Sequence, residues 1–203
     1  GTIRFAGVPI VQKTIPTTID QYVCGKEKAA EDLLVSADKG IRNVVVSIEN
    51  SPALGLSAPV PPVVLDQKEC TFVPHVVVVP INSPVLFLNT DRLLHNLHSI
   101  STLNARFNRA QPKGRTIQMA FKIPEKIRIE CDLHTWMRAW VVVAEHSFYT
   151  VTNDRGAFVL ENVPPGSYTL RVWHESLGTV TKDVTVAPQV GTDVSIEMSP
   201  VKP

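Results

Sequence analysis

The pentapeptide Ile127-Arg128-Ile129-Glu130-Cys131 constrains this chain more than any other segment. Strict alternation puts Ile127, Ile129 and Cys131 on one face of a strand and Arg128 and Glu130 on the other. The apolar face must be the core face, so Cys131 is delivered inward at the strand's end. A polar turn follows at once, then Ala139 to Glu145, a second apolar run of strand length. The pattern predicts two β-strands pinning a short loop that carries a buried thiol.

That loop, Cys131-Asp132-Leu133-His134-Thr135-Trp136-Met137, holds a thiolate, an imidazole and a thioether within seven residues. Upstream, Leu94-His95-Asn96-Leu97-His98 can supply a second imidazole. Two His, one Cys and a weak axial Met suit a soft, redox-active metal and make up a blue-copper ligand set. A structural zinc site prefers four strong Cys or His ligands, and methionine is a poor one. No Cys-x-x-Cys-His haem signature occurs. Cys131 with His134 could also be a thiol nucleophile and its base, but the methionine three residues on fits a shared metal better. Each residue alone fits plain core filling; the set at this spacing carries the metal reading. Neither parity nor spacing settles which of His95 and His98 is the ligand.

The rest of the chain reads as almost all β. Val44-Val45-Val46-Ser47-Ile48 follows the turn signal Asp38-Lys39-Gly40, predicting a hairpin of residues 33–35 with 41–48. Lys26 to Leu34 alternatively begins a short helix. Residues 51–62, with four prolines, read as a loop. Further strands are expected at 72–80, 83–89, 116–123, 127–131 and 139–145. After Glu145 the strands become short and regularly spaced, indicating a second small sandwich of roughly 55 residues. Below about 70 residues a lone core is marginal, so this unit is expected to pack on the first or to borrow strands from the N-terminal segment.

Of the 203 residues 44% are hydrophobic and the net charge is +1, enough for a packed core and a poor match to nucleic acid. No apolar run approaches the roughly 20 residues that span a bilayer. Cys24 and Cys70 remain once Cys131 is assigned to the metal. A disulfide between them would close a loop of about 46 residues and stabilise by about 2–4 kcal/mol; two unrelated buried thiols are the alternative. The disulfide implies an oxidising compartment, hence a periplasmic or otherwise exported protein whose leader has been removed. His75, His146 and His174 lie outside the ligand-bearing stretch and read as structural. Arg106, Arg109, Lys113 and Arg115 make 104–115 a basic segment, a solvated loop or a feature that steers an acidic redox partner.

The loop Cys131 to Met137, the His95 to His98 segment and the strand after Met137 resemble the cupredoxins, with closest likeness to the amicyanin type. The resemblance spans about 72–145 and implies a Greek-key β-sandwich binding one type 1 copper ion. It implies His95, Cys131, His134 and Met137 as ligands, and the edge of His134 as the electron port. Asn96 and His98 then become supporting residues around the site. Trp136 either covers the metal, offers an apolar docking surface or simply packs. Asp132 stands where many members carry Ser or Thr, and Leu133 where many carry Pro, which puts the tuning of the site in question. Thr152 to Phe158 and Val163 to Tyr168 resemble the carboxypeptidase regulatory-like, transthyretin-like domains. The implied organisation is a cupredoxin with an N-terminal extension over 1–145 and a regulatory-like sandwich over 146–203, the latter completed by strands from 1–50 if the cupredoxin is an insertion.

The function expected from these features is one-electron transfer, as a carrier or as a subunit of a periplasmic redox complex, and not enzymatic turnover. The implied partner is a redox protein such as a c-type cytochrome or a membrane-bound oxidoreductase, with no nucleic acid. The rival readings are a structural or assembly subunit with vestigial or no copper, and copper delivery or storage.

Overall fold

A computed structural model describes residues 1–8, 11–49, 61–188 and 190–200. Among them lie seventeen strands and one short helix. The first part of the chain holds β1 (Thr2–Phe5), β2 (Thr14–Pro16), α1 (Gln21–Cys24), β3 (Glu27–Ala29) and β4 (Val45–Glu49). The middle holds β5 (Val63–Lys68), β6 (Thr71–Val73), β7 (Val76–Pro80), β8 (Pro84–Asn89), β9 (His95–Ile100), β10 (Asn108–Gln111), β11 (Ile117–Ala120), β12 (Glu125–Glu130) and β13 (Arg138–Ala144). The last part holds β14 (Tyr149–Val151), β15 (Gly166–His174), β16 (Gly178–Val186) and β17 (Ser195–Met198).

These strands form two compact units, and the chain passes between them more than once. One unit comprises 13–30 and 56–145; the other comprises 1–12, 31–55 and 146–203. This is the arrangement in which strands from 1–50 complete the C-terminal sandwich, rather than a division at residue 145. Most of the N-terminal extension assigned above to the cupredoxin lies with the C-terminal sandwich. The cause is backbone pairing: β1 runs parallel to β17, and β4 sits between β14 and β15. A sandwich made of 146–203 alone would lack one strand inside a sheet and the partner of its last strand. Gly40 and Gly156 let the segments meet, because a Cβ on Gly40 would lie 2.0 Å from the Arg155 carbonyl oxygen. Gly156 also has φ +71°, a region open to glycine and strained for most other residues. The core of this unit joins Ile3, Phe5, Ile41, Val46, Leu170, Val172 and Met198, all buried.

The middle unit is a sandwich of two sheets, ordered β10-β9-β12-β13-β7 and β11-β8-β5-β6. Successive strands β6 to β9 alternate between the sheets, as in a Greek key. Leu65, Phe72, Val85 and Phe87 from one sheet meet Leu97, Ile127, Ile129 and Val141 from the other in a single buried cluster. The alternation read in 127–131 holds: Ile127, Ile129 and Cys131 are at most 1% exposed, whereas Arg128 and Glu130 are half-buried and form an ion pair at 2.7 Å. All five residues of β7 are buried, which explains its unbroken apolar run.

Several local expectations differ. Lys26 to Leu34 is no helix; it contains β3, and among the described residues the only helical turn is α1, one step earlier. The 33–35 and 41–48 pairing survives as a bridge between Val35 and Ile41, with β4 beginning at Val45. Strands β5, β9 and β10 carry polar residues and fall outside the apolar runs that marked the other strands. Part of the basic segment is β10, paired with β9. The loop expected at 51–62 lies outside the described residues except for its last two positions. Among the described residues no helix is long and apolar enough to cross a membrane.

Candidate metal centre

The ligand loop is the connection between β12 and β13, closed on itself by backbone hydrogen bonds. Met137 N–H donates to the His134 carbonyl at 2.8 Å, and Cys131 N–H to the Met137 carbonyl at 3.3 Å. The loop is therefore a tight turn whose side chains are fixed by the strands on either side. His95 opens β9, which pairs with β12, so a residue 36 positions upstream lands beside Cys131.

Three donor atoms converge. The Nδ1 atoms of His95 and His134 are 2.9 Å apart, and the Cys131 Sγ lies 3.9 Å from the first and 3.6 Å from the second. All three residues are at most 1% exposed. Bonds of about 2.0 Å to nitrogen and about 2.3 Å to sulfur from one shared ion produce donor spacings of this size. Met137, 1% exposed, belongs to the same buried cluster as Cys131.

The far nitrogens explain why those lone pairs are free. His95 Nε2 lies 2.9 Å from Asp91 Oδ2, and His134 Nε2 lies 3.1 Å from Asp20 Oδ2. A carboxylate only accepts, so each Nε2 carries the hydrogen and each Nδ1 is left with a lone pair. Two such lone pairs facing each other 2.9 Å apart in a buried pocket repel unless a cation lies between them. The donor set and its tautomers thus fit a soft metal ion bound by two imidazoles and a thiolate. Burial pulls the His95 pKa below its ordinary value; the Asp91 hydrogen bond opposes this and repulsion from His134 adds to it. The net result favours the neutral, metal-binding imidazole.

A second cluster of Cys70, Asp91 and His95 is close enough to consider as a metal site. It offers no thiolate, because Cys70 is joined to Cys24 in a disulfide. Asp91 instead ties its neighbourhood together, accepting from the backbone N–H groups of Glu69 at 2.6 Å and Cys70 at 2.8 Å. Glu69 and Cys70 both have positive φ and form the two-residue turn between β5 and β6.

Pairing along β9 sends the two histidines to different surroundings. His95 and Leu97 point into the core, whereas Asn96 and His98 point to the opposite face. His98 Nδ1 lies 2.8 Å from Asp132 Oδ1 and is not brought to the donor cluster. Asn96 acts twice. Its backbone N–H points at the Cys131 Sγ from 3.4 Å, and its side-chain Oδ1 accepts from Asp132 N–H at 2.5 Å and Leu133 N–H at 3.4 Å. Asp132 Oδ2 accepts from Asn96 Nδ2 and Asn108 Nδ2 at 3.1 and 2.6 Å. Hydrogen bonds from His98 and Asn108 hold the Asp132 carboxyl below its usual range. Asp132 therefore faces away from the donor cluster and laces the loop to β9 and β10.

The exposed imidazole edge implied by the resemblance is absent. His134 is fully buried beneath Asp20. Trp136 is half-buried, its ring 5.2 Å from that of His134 and its Nε1–H donating to the Cys70 carbonyl at 3.0 Å. Asp20 and Asp91 escaped the sequence reading. Asp91 stands four residues before His95, a spacing visible in retrospect; Asp20 lies 114 residues from His134 and leaves no sequence signal. His146 and His174 belong to the other unit and serve the backbone: Phe148 N–H donates to His146 Nδ1 and Ser176 N–H to His174 Nδ1, each at 3.2 Å.

The profile of the carboxypeptidase regulatory-like domain matches residues 137–199. It begins at Met137, one residue before β13, within the unit of 13–30 and 56–145, and omits the N-terminal strands of the other unit. Comparison with curated proteins finds no match. Among solved structures, similar ones include amicyanin from Paracoccus versutus, at 17% identity over 49% of this chain and 97% of that one, with a TM-score of 0.38. A purple cupredoxin from Nitrosopumilus maritimus matches at 19% identity over 40% of this chain and 99% of that one, with a TM-score of 0.36. A copper-containing nitrite reductase from Thermus scotoductus SA-01 matches at 24% identity and a TM-score of 0.39, over 46% of this chain and 25% of the reductase.

Proposed function

We propose that this protein is a type 1 copper electron-transfer protein in which His95, Cys131 and His134 would hold the ion, with the Met137 thioether as a fourth, weak ligand. The observation that carries the reading is the convergence of two Nδ1 lone pairs and one Sγ within 3.9 Å, each imidazole held at its far nitrogen by a carboxylate. Copper bound there would supply a one-electron couple. The chain's own residues do the rest. The β12–β13 turn and β9 hold the donors in one arrangement, so a change of oxidation state asks for little movement. Asp91 and Asp20 fix the ring orientations and raise the donor strength of the imidazoles. The Asn96 N–H withdraws charge from the thiolate sulfur, and the buried pocket keeps water from the ion.

In this reading the protein carries single electrons, alone or within a larger complex, and turns over no substrate. Its partner is a redox protein such as a c-type cytochrome or a membrane-bound oxidoreductase. The Cys24–Cys70 disulfide supports an oxidising location, periplasmic or otherwise exported. The deciding experiment is absorption and paramagnetic-resonance spectroscopy of the Cu(II)-loaded protein. An intense blue thiolate charge-transfer band is expected. Tight Cu(II) binding without colour would overturn the assignment and favour a structural role.

A further inference from the structure

We propose that residues 13–30 form a closed strap over His134, in which Asp20 is a positioning residue for the ligand and the Cys24–Cys70 disulfide holds the strap shut. This rests on the copper reading for its functional meaning, but the strap itself is a property of the metal-free chain. The strap is a hairpin of β2 and β3 with α1 at its tip. It is closed at its neck by Thr17 N–H donating to the Lys26 carbonyl at 3.0 Å, and by Thr17 Oγ1 donating to the Gly25 carbonyl at 2.5 Å.

Asp20 is the telling residue. It stands immediately before α1, where an aspartate usually turns its carboxylate onto the helix's free N–H groups. Here it makes no such bond. Its backbone is left-handed, φ 50° and ψ 32°, a conformation uncommon for non-glycine residues, among which aspartate and asparagine adopt it most readily. The carboxylate is spent instead on His134 Nε2. The imidazole edge is thereby buried, while the Asp20 side chain itself remains 33% exposed.

The disulfide is wired to both imidazoles. Cys24, at the end of α1, donates its N–H to the Asp20 carbonyl at 2.9 Å. Cys70 donates its N–H to Asp91 Oδ2, the oxygen that holds His95, and its carbonyl accepts from Trp136, whose ring packs on His134. One covalent link therefore fixes the groups that orient both nitrogen ligands. It follows that copper exchange requires the strap to open, and that electrons reach the site through the Asp20 and Trp136 contacts rather than a bare imidazole edge.

The test begins with metal-free protein treated with diethyl pyrocarbonate and mapped by peptide mass spectrometry. His98, 31% exposed at its side chain, is expected to be modified while His134 is protected. In the Cys24→Ser, Cys70→Ser double variant His134 is expected to become reactive. With copper bound, Asp20→Asn is expected to speed removal by a chelator roughly ten- to a hundredfold, the usual reach of such supporting contacts. It is also expected to raise the reduction potential, because a negative charge that favours Cu(II) is lost, and Asp20→Glu is expected to recover part of both effects. Modification of His134 in the wild type as readily as His98 would overturn the proposal. So would Asp20→Asn and Asp20→Ala variants with unchanged copper release and potential, and these remain readable if the double variant does not fold. If no variant binds copper, the electron-transfer reading fails and the labelling alone decides the strap.

Discussion

The backbone N–H of Asn96 points at the Cys131 Sγ from 3.4 Å, while the side chain of the same residue grips the first two backbone N–H groups after Cys131. A single residue of β9 thus sets both the charge on the sulfur and the shape of the loop that carries it. The pocket where the three donors converge is built by strand pairing as much as by their own side chains, and the consequences can be measured.

Truncating Asn96 should separate loop geometry from ligand identity. Asn96→Ala keeps the N–H to sulfur bond and removes the side-chain bonds to Asp132 and Asn108. Buried partners left unsatisfied cost about 1–3 kcal/mol. Copper affinity should fall about 10- to 100-fold with the blue band retained but shifted. Denaturant unfolding and copper titration check this; a variant with unchanged affinity and stability would remove Asn96 from the account.

Removing the sulfur should remove the colour. Cys131→Ala is expected to leave the sandwich folded, because the truncation removes a single buried atom, and to abolish the visible charge-transfer band in the Cu(II)-loaded protein. Met137→Leu should keep the band and change the potential, since a weak axial ligand tunes the couple without creating the colour. Spectra and voltammetry of the two variants together test the assigned roles.

Acid should weaken the protein through Glu125. This carboxylate accepts from Ser101 Oγ at 2.7 Å, from Thr102 Oγ1 at 2.9 Å and from both nitrogens of Asn104. Burial acts to raise its pKa, but these bonds outweigh it and hold the carboxyl well below the ordinary value of 4.5. A depressed folded-state pKa stabilises the protein above the unfolded value, and that contribution is lost as pH falls through and below it. Glu125→Gln should therefore lower stability at pH 7 and flatten the acid limb of the stability profile below about pH 4.5. Equal slopes for variant and wild type would contradict this.

The N-terminal segment should be integral to the second unit. Thr152 Oγ1 donates to the Ile41 carbonyl at 2.6 Å and accepts from Val44 N–H at 3.0 Å, all buried. Thr152→Val strands both backbone groups and should cost about 1–3 kcal/mol. Gly156→Ala should destabilise too, because a Cβ would meet the Ile3 carbonyl oxygen at 2.3 Å from a residue with φ +71°. Thermal unfolding followed by hydrogen exchange at 1–8 and 41–48 reads both; variants that leave those amides protected would show that these two segments are not needed.

Local pattern determined what local pattern can. The alternation of 127–131, the seven-residue spacing from Cys131 to Met137, the all-β class and the change of rhythm after Glu145 all depend on neighbours in sequence, so periodicity and ligand chemistry were enough to read them. With three cysteines and Cys131 read as a ligand, the Cys24–Cys70 disulfide was the expectation and two unrelated thiols the alternative; the folded chain joins them. Other features were decided in three dimensions. The resemblance already pointed to His95 rather than His98, but the physical reason His95 faces the other donors lies in the orientation of β9, because the two faces of a strand differ only once its pairing is known. The division of the chain between two sandwiches needed β1 to find β17. The burial of His134 needed Asp20 to arrive from 114 residues away. Such contacts arise from backbone hydrogen bonds and single side-chain encounters that leave no period in the sequence, and only the folded chain brings them together.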